Sequence, residues 1–380
     1  MKRREKKNQI TNEKQEIGNE MTERETEKVI TEKYSNTPKK RKGYLDIAKA
    51  IGVIIVLMNH IGLSLGKGNT YLGAFYVSEF FLLAGMTFYI KPEETADSFV
   101  TKKAKRLLIP YFGYSLFYLL WYGVSQMRSG HFHALDIQRK IAGICYGRNF
   151  FNIGTRRIYM MEIMNAPMWF LLALFSCLVM YGILTILMKD KKWIGVVLLT
   201  GLGIVLQYTV KMLLPWGIDV AMIMLPLMYV GERLAKVDYI GITRRKLWLL
   251  PLIAFLFVGV VTWNGPGNSS VNDYGRSVFL FLIASFCGTI LCVIFSYYLE
   301  TYLHFLAKPL MIVGRCTMEI LCLHLFVFAI VSTIAAILGA GSENTGVKIV
   351  AVFLGLAVPV LLKSMWIRIF DMLKKGENNE

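Results

Sequence analysis

RKGYLDIAKAIGVIIVLMNH, residues Arg41 to His60, is the stretch on which the reading of the whole chain turns. Its apolar run is long enough to enter a bilayer, yet it contains Asp46, Lys49 and His60. At about 100° per residue, Lys49 and His60 are separated by three turns plus roughly 20°, and Asp46 falls within about 40° of His60. One helical face therefore carries all three, with the lysine and the imidazole roughly 16 Å apart along the axis. Ionisable groups inside a membrane segment are costly, and by default they face a partner or a cavity. The plainer alternative is a His bonded to a neighbouring helix and a Lys snorkelling to the head groups.

The surroundings of this stretch are equally apolar. Of 380 residues, 55% are hydrophobic and only 18% charged, against about 25% charged in an ordinary soluble domain. Long apolar runs without two-residue alternation predict an all-α, polytopic membrane protein and exclude a barrel. The net charge of +17 does not point to nucleic acid, because the basic residues cluster between hydrophobic segments, as membrane orientation requires. Six cysteines show neither a CxxC pair nor a ligand spacing with histidine, so neither a disulfide framework nor a metal site is expected.

Ten spans are predicted, near 45–64, 71–90, 107–127, 167–188, 193–210, 218–235, 247–263, 277–299, 317–339 and 347–368. Residues 1–43 hold 13 Lys/Arg and 8 Asp/Glu with few large apolar residues; such a tail is expected to be disordered and to stay in the cytoplasm. Short connections alternate between basic ones (Lys91 to Arg106, KDKK at 189–192, Lys236 to Lys246, Lys308 and Arg315) and poorly charged ones. This alternation places both termini, including a short tail at 371–380, on the cytoplasmic side. Residues 128–166 form a long outer connection carrying Arg148 and several aromatic residues; it reads as a folded cap touching an acceptor or, equally, as a solvated loop.

Several residues could carry chemistry. His60 suits proton transfer near neutral pH, its ordinary pKa lying at about 6.5. Lys105 and Arg106, just ahead of LLIPY (107–111), suit an anionic ligand or anionic lipid at the inner mouth, with Pro110 expected in the first turn of its span. Glu79, within YVSEFFLLAGM (76–86), lies in an apolar run and needs a partner, whereas Gly85 suits close helix approach. Trp169 fits an interfacial aromatic belt. Arg315 and Glu319 are spaced as a helical ion pair, and His324 reads either as a packed histidine or as a group supporting a site.

The succession of LDIAKAIG ahead of His60, FFLLAG at 80–85, KRLLIPY at 105–111 and MWFLLALF at 168–175 resembles the integral-membrane acyltransferase 3 family, with closest similarity to its fucose 4-O-acetylase-like branch. The resemblance covers about residues 44–370. It implies an O-acyltransferase that moves an acyl group, usually acetyl, from cytoplasmic acetyl-CoA to a hydroxyl of an extracytoplasmic or lipid-linked glycan. It further implies a plasma-membrane enzyme with no metal, no nucleic-acid partner, and homo-oligomerisation left open. The family's basic residue ahead of the catalytic histidine is commonly Arg; here it is Lys49, which keeps the charge but loses the bidentate fork. On this reading His60 and Asp46 are catalytic, and Lys49, Lys105, Arg106 and Tyr111 bind the donor. Glu79, Trp169, His324 and Arg148 would then face the acceptor. The competing reading is a proton-coupled secondary transporter using Asp46, Glu79 and His60, although neither broken helices nor pseudo-symmetric halves are visible in the sequence.

Overall fold

Hydrocarbon offers no hydrogen bonds, so apolar segments that cross it must satisfy their own backbone, and helices do so. Helices occupy all ten apolar segments of the chain. In this computed structural model, which describes residues 41–153, 156–159, 163–209 and 213–377, the first is α1 (Gly43–His60). The second segment is split into α2 (Gly68–Gly73) and α3 (Ser78–Met86). The third is α4 (Ala96–Arg128), which starts well before the expected position. Thr95 caps it, its hydroxyl accepting from the Ser98 N–H at 3.3 Å, and Pro110 consequently lies inside the helix rather than in its first turn.

The long connection that follows is folded. It contains α5 (Ala134–Tyr146), an antiparallel hairpin of β1 (Phe150–Ile153) and β2 (Arg156–Tyr159), and a 3₁₀ turn at Ile163–Met168. Then come α6 (Trp169–Met188), α7 (Lys192–Thr209), α8 (Ile218–Ala235), α9 (Tyr239–Arg245) and α10 (Leu249–Asn264). The chain ends with α11 (Val278–Tyr302), α12 (His304–Arg315), α13 (Thr317–Ile337) and α14 (Thr345–Glu377). The last helix runs through the boundary expected near residue 370, and the stretch 300–316, read as a loop, is largely the helix α12. The tail expected to be disordered falls mostly on residues 1–40, outside the described residues.

By length and composition, 6 runs among the described residues can cross a membrane, or 7 if α9 and α10, bent by 106°, form one span. One of these runs, Ala166–Thr209, doubles back at Lys189–Lys191: a Cβ on Gly195 would lie 2.4 Å from Leu184, on the preceding helix. The chain is thus an all-α, multi-pass membrane protein.

The leading helix is the axis of the bundle. Within its apolar window 67% of α1 is buried, against 17% for α14, because α3, α11, α12, α13 and α14 all pack on it. Two approaches are close enough to require glycine. A Cβ on Gly314 of α12 would fall 1.8 Å from the Asp46 carbonyl oxygen of α1, and one on Gly85 of α3 would fall 2.1 Å from the Met228 carbonyl oxygen of α8. The second is reciprocated by Gly231 of α8 against Leu82. Small residues let backbones meet where packing, rather than water exclusion, holds helices together.

Candidate active site

At its Gly43 end, α1 is held by polar groups. The backbone N–H of Tyr44 donates to Glu300 Oε2 at 2.9 Å, satisfying one of the helix's orphan donors. Asp46, 2% exposed, faces Arg315 Nε at 3.4 Å and Lys49 Nζ at 3.7 Å. Arg315 therefore turns to Asp46 and not to Glu319, the partner expected from spacing. Glu319 pairs instead with Lys363 of α14 at 2.8 Å. Lys49 lies one turn further along with a quarter of its side chain exposed. On α4, Lys105 and Arg106 are exposed, while Tyr111 is fully buried and its hydroxyl donates to the Ile144 carbonyl at 2.7 Å. Tyr111 thus ties α4 to α5, and its hydroxyl is not open to a phosphate.

Midway along α1 sits Glu79 of α3. It is 0% exposed, and neither carboxylate oxygen has a hydrogen-bonding nitrogen or oxygen partner among the described residues. It occupies the notch left by Gly52, where a Cβ would meet Glu79 Oε2 at 2.9 Å, with the thiol of Cys292 beside it. A buried carboxyl whose one polar neighbour is a weakly bonding thiol is costly and calls for a functional account.

At the far end of α1 the two buried-segment histidines meet. His60 Nδ1 lies 2.7 Å from His324 Nε2. The rings are 8° from parallel with centroids 5.0 Å apart, the separation two imidazoles have when they meet edge to edge in one plane. Ring nitrogen lone pairs and N–H bonds lie in that plane, so this is an in-plane hydrogen bond and not a stack. His324 is 0% exposed; its Nδ1 faces the Ile320 and Leu321 carbonyls at 2.9 and 3.0 Å, and Phe328 abuts its ring edge-on. His60 itself is exposed. With both nitrogens of His324 engaged, an outside reactant is reached only through His60. Next to it, Asn59 Nδ2 donates to the Tyr76 hydroxyl at 3.1 Å.

The described part of the 128–166 connection is anchored to another part of the bundle through Arg148. Arg148, 1% exposed, pairs with Asp219 at the start of α8. Its Nε also donates to the Leu214 carbonyl at 3.1 Å, Nη1 approaches the Ser270 carbonyl at 3.4 Å, and the guanidinium lies 5.6 Å from the Trp169 ring. The guanidinium nitrogens of Arg148, which the resemblance turns toward an acceptor, here face Asp219 and two main-chain carbonyls. Trp169 is 6% exposed and packs in the core.

A family model described as an acyltransferase domain matches residues 42–365. The chain belongs to the acyltransferase 3 family. The match runs from the start of α1 into α14 and includes both histidines. No curated protein and no solved structure matches the chain. This membrane acyltransferase therefore has an accessible imidazole at one end of its central helix and a charged cluster with Asp46 and Lys49 at the other. Sequence reasoning did not join His60 to His324, which lie 264 positions apart, nor Asp46 to Arg315. The only hint was that each carries an ionisable group in or beside an apolar helix, without saying which pairs with which.

Proposed function

We propose that the protein is an O-acyltransferase, acetyl being the favoured group, that moves the acyl unit of cytoplasmic acetyl-CoA to a hydroxyl of an extracytoplasmic or lipid-linked glycan. The plasma membrane and the fucose 4-O-acetylase-like branch belong to the same proposal. The observation that carries it is the exposed His60 ring at the far end of the central helix from Lys49. A nucleotide with several phosphates cannot enter hydrocarbon, whereas its slim thioester arm can follow a polar line through the protein. Lys49, Lys105 and Arg106 would hold the phosphates, and Asp46 with Arg315 would fix where Lys49 stands. Glu79, beside the Cys292 thiol midway along α1, would offer an acceptor to an amide N–H of the arm. His60 would take the proton of the attacking hydroxyl, a contribution of roughly 10²–10⁴-fold.

Purified protein given acetyl-CoA and a glycan acceptor should lose transfer in His60→Ala while still binding CoA; transfer at the wild-type rate would remove His60 from the chemistry. Lys49→Ala should raise the CoA dissociation constant, and an unchanged constant would take Lys49 out of the donor site. Release of free CoA thiol, followed with dithionitrobenzoate, separates transfer from proton-coupled transport.

A further inference from the structure

We infer that His324 is a positioning residue that sets which nitrogen of His60 acts as the base, an inference that rests on the acyl-transfer reading above. The Nδ1 of His324 faces two main-chain carbonyls, at 2.9 and 3.0 Å. Carbonyls only accept, so that nitrogen carries a hydrogen. In the neutral ring the other nitrogen, Nε2, then bears a lone pair and accepts. Its partner at 2.7 Å is His60 Nδ1, which must therefore be N–H. The remaining nitrogen of His60, Nε2, keeps its lone pair, on a residue that is itself exposed. Two carbonyls of α13 thus dictate, through two coplanar imidazoles, a basic Nε2 on α1.

The same chain of bonds serves the step itself. The acceptor hydroxyl gives its proton to His60 Nε2 as its oxygen bonds to the acyl carbonyl carbon. When the tetrahedral species collapses, the C–S bond breaks and the sulfur leaves as CoA thiol, taking that proton back from Nε2. In between, His60 is an imidazolium whose Nδ1–H already points at the His324 lone pair, with the Ile320 and Leu321 carbonyls behind. The positive charge forms against acceptors oriented in advance, with no reorganisation at the moment of reaction. A buried carboxylate plays this orienting part in serine hydrolase triads; here a neutral ring does so without placing a net charge in the membrane.

Two sets of measurements test the assignment. Solid-state ¹⁵N NMR of histidine-labelled protein, with His60→Ala used to identify the His60 signals, should show His60 protonated at Nδ1 and unprotonated at Nε2; the opposite tautomer overturns the inference whatever the activity. In kinetics, His324→Leu should lower kcat about 10- to 10³-fold with the KM for acetyl-CoA unchanged. His324→Gln, whose amide oxygen can accept from His60 Nδ1, should recover transfer to within about tenfold of wild type, the tautomer being kept. Wild-type kcat in His324→Leu, or equal losses in the Leu and Gln variants, would refute it. If His60→Ala is inactive while His324→Leu is fully active, the base survives and only the tautomer control falls; if His60→Ala remains active, the acyl-transfer reading falls first.

Discussion

Asp46 shows how one carboxylate can look catalytic in sequence and stand elsewhere in space. It shares the face of α1 with His60, but fourteen residues of helix put the two about 21 Å apart. Its neighbours are Arg315 and Lys49. Asp46→Asn should therefore act through Lys49, raising the KM for acetyl-CoA while kcat stays within about threefold; a fall in kcat alone would move Asp46 into the chemistry. Glu94, in the connection before α4, allows a pH prediction. The Lys102 ammonium, hydrogen-bonded at 2.8 Å, holds its carboxyl below the usual carboxylate range. A folded-state value below the unfolded one stabilises above the unfolded value and stops doing so as pH falls through the folded value. Acidification through the carboxylate range should hence loosen residues 91–102, read as faster hydrogen exchange after correction for intrinsic rates. In Glu94→Gln that acid-side change should vanish.

Helix contacts set the next level. Gly314 and Asp46 bring α12 and α1 into backbone contact, and any side chain at 314 must push them apart. Gly314→Ala should cost about 1–3 kcal/mol, seen as a lower unfolding temperature in detergent. Gly113→Ala on α4, where a Cβ meets nothing within 4 Å, should be neutral or slightly stabilising by helix propensity. The elements themselves were largely legible in the sequence, since apolar length reports helices directly. The details that escaped have local causes. Thr95 starts α4 early by capping it, a signal that hydropathy does not weigh. The break between α2 and α3 leaves no mark in apolar length. Arg315 beside Asp46, Lys363 beside Glu319 and His324 beside His60 each come from another helix, and the periodicity of one segment says nothing of its neighbours.

Across the whole molecule, the folded connection 128–166 is pinned to the bundle by a buried charge pair, Arg148 with Asp219, each 1% exposed. Arg148→Ala would strand a buried carboxylate, and the loss expected is about 3–5 kcal/mol. Arg148→Met with Asp219→Asn should recover part of it, measured as unfolding temperature; a single variant no worse than the double would contradict the pinning role. The enclosure of α1 has a consequence for how the protein is made. Its packing partners α11 to α14 come from the end of the chain, and His60 must wait for a residue 264 positions later. At about 5–20 residues per second, the leading helix leaves the ribosome tens of seconds before the groups that complete its surroundings. A nascent chain halted before α13 would reach the membrane with its imidazole already in place and no means of aiming it, so the enzyme stays silent until synthesis is nearly done.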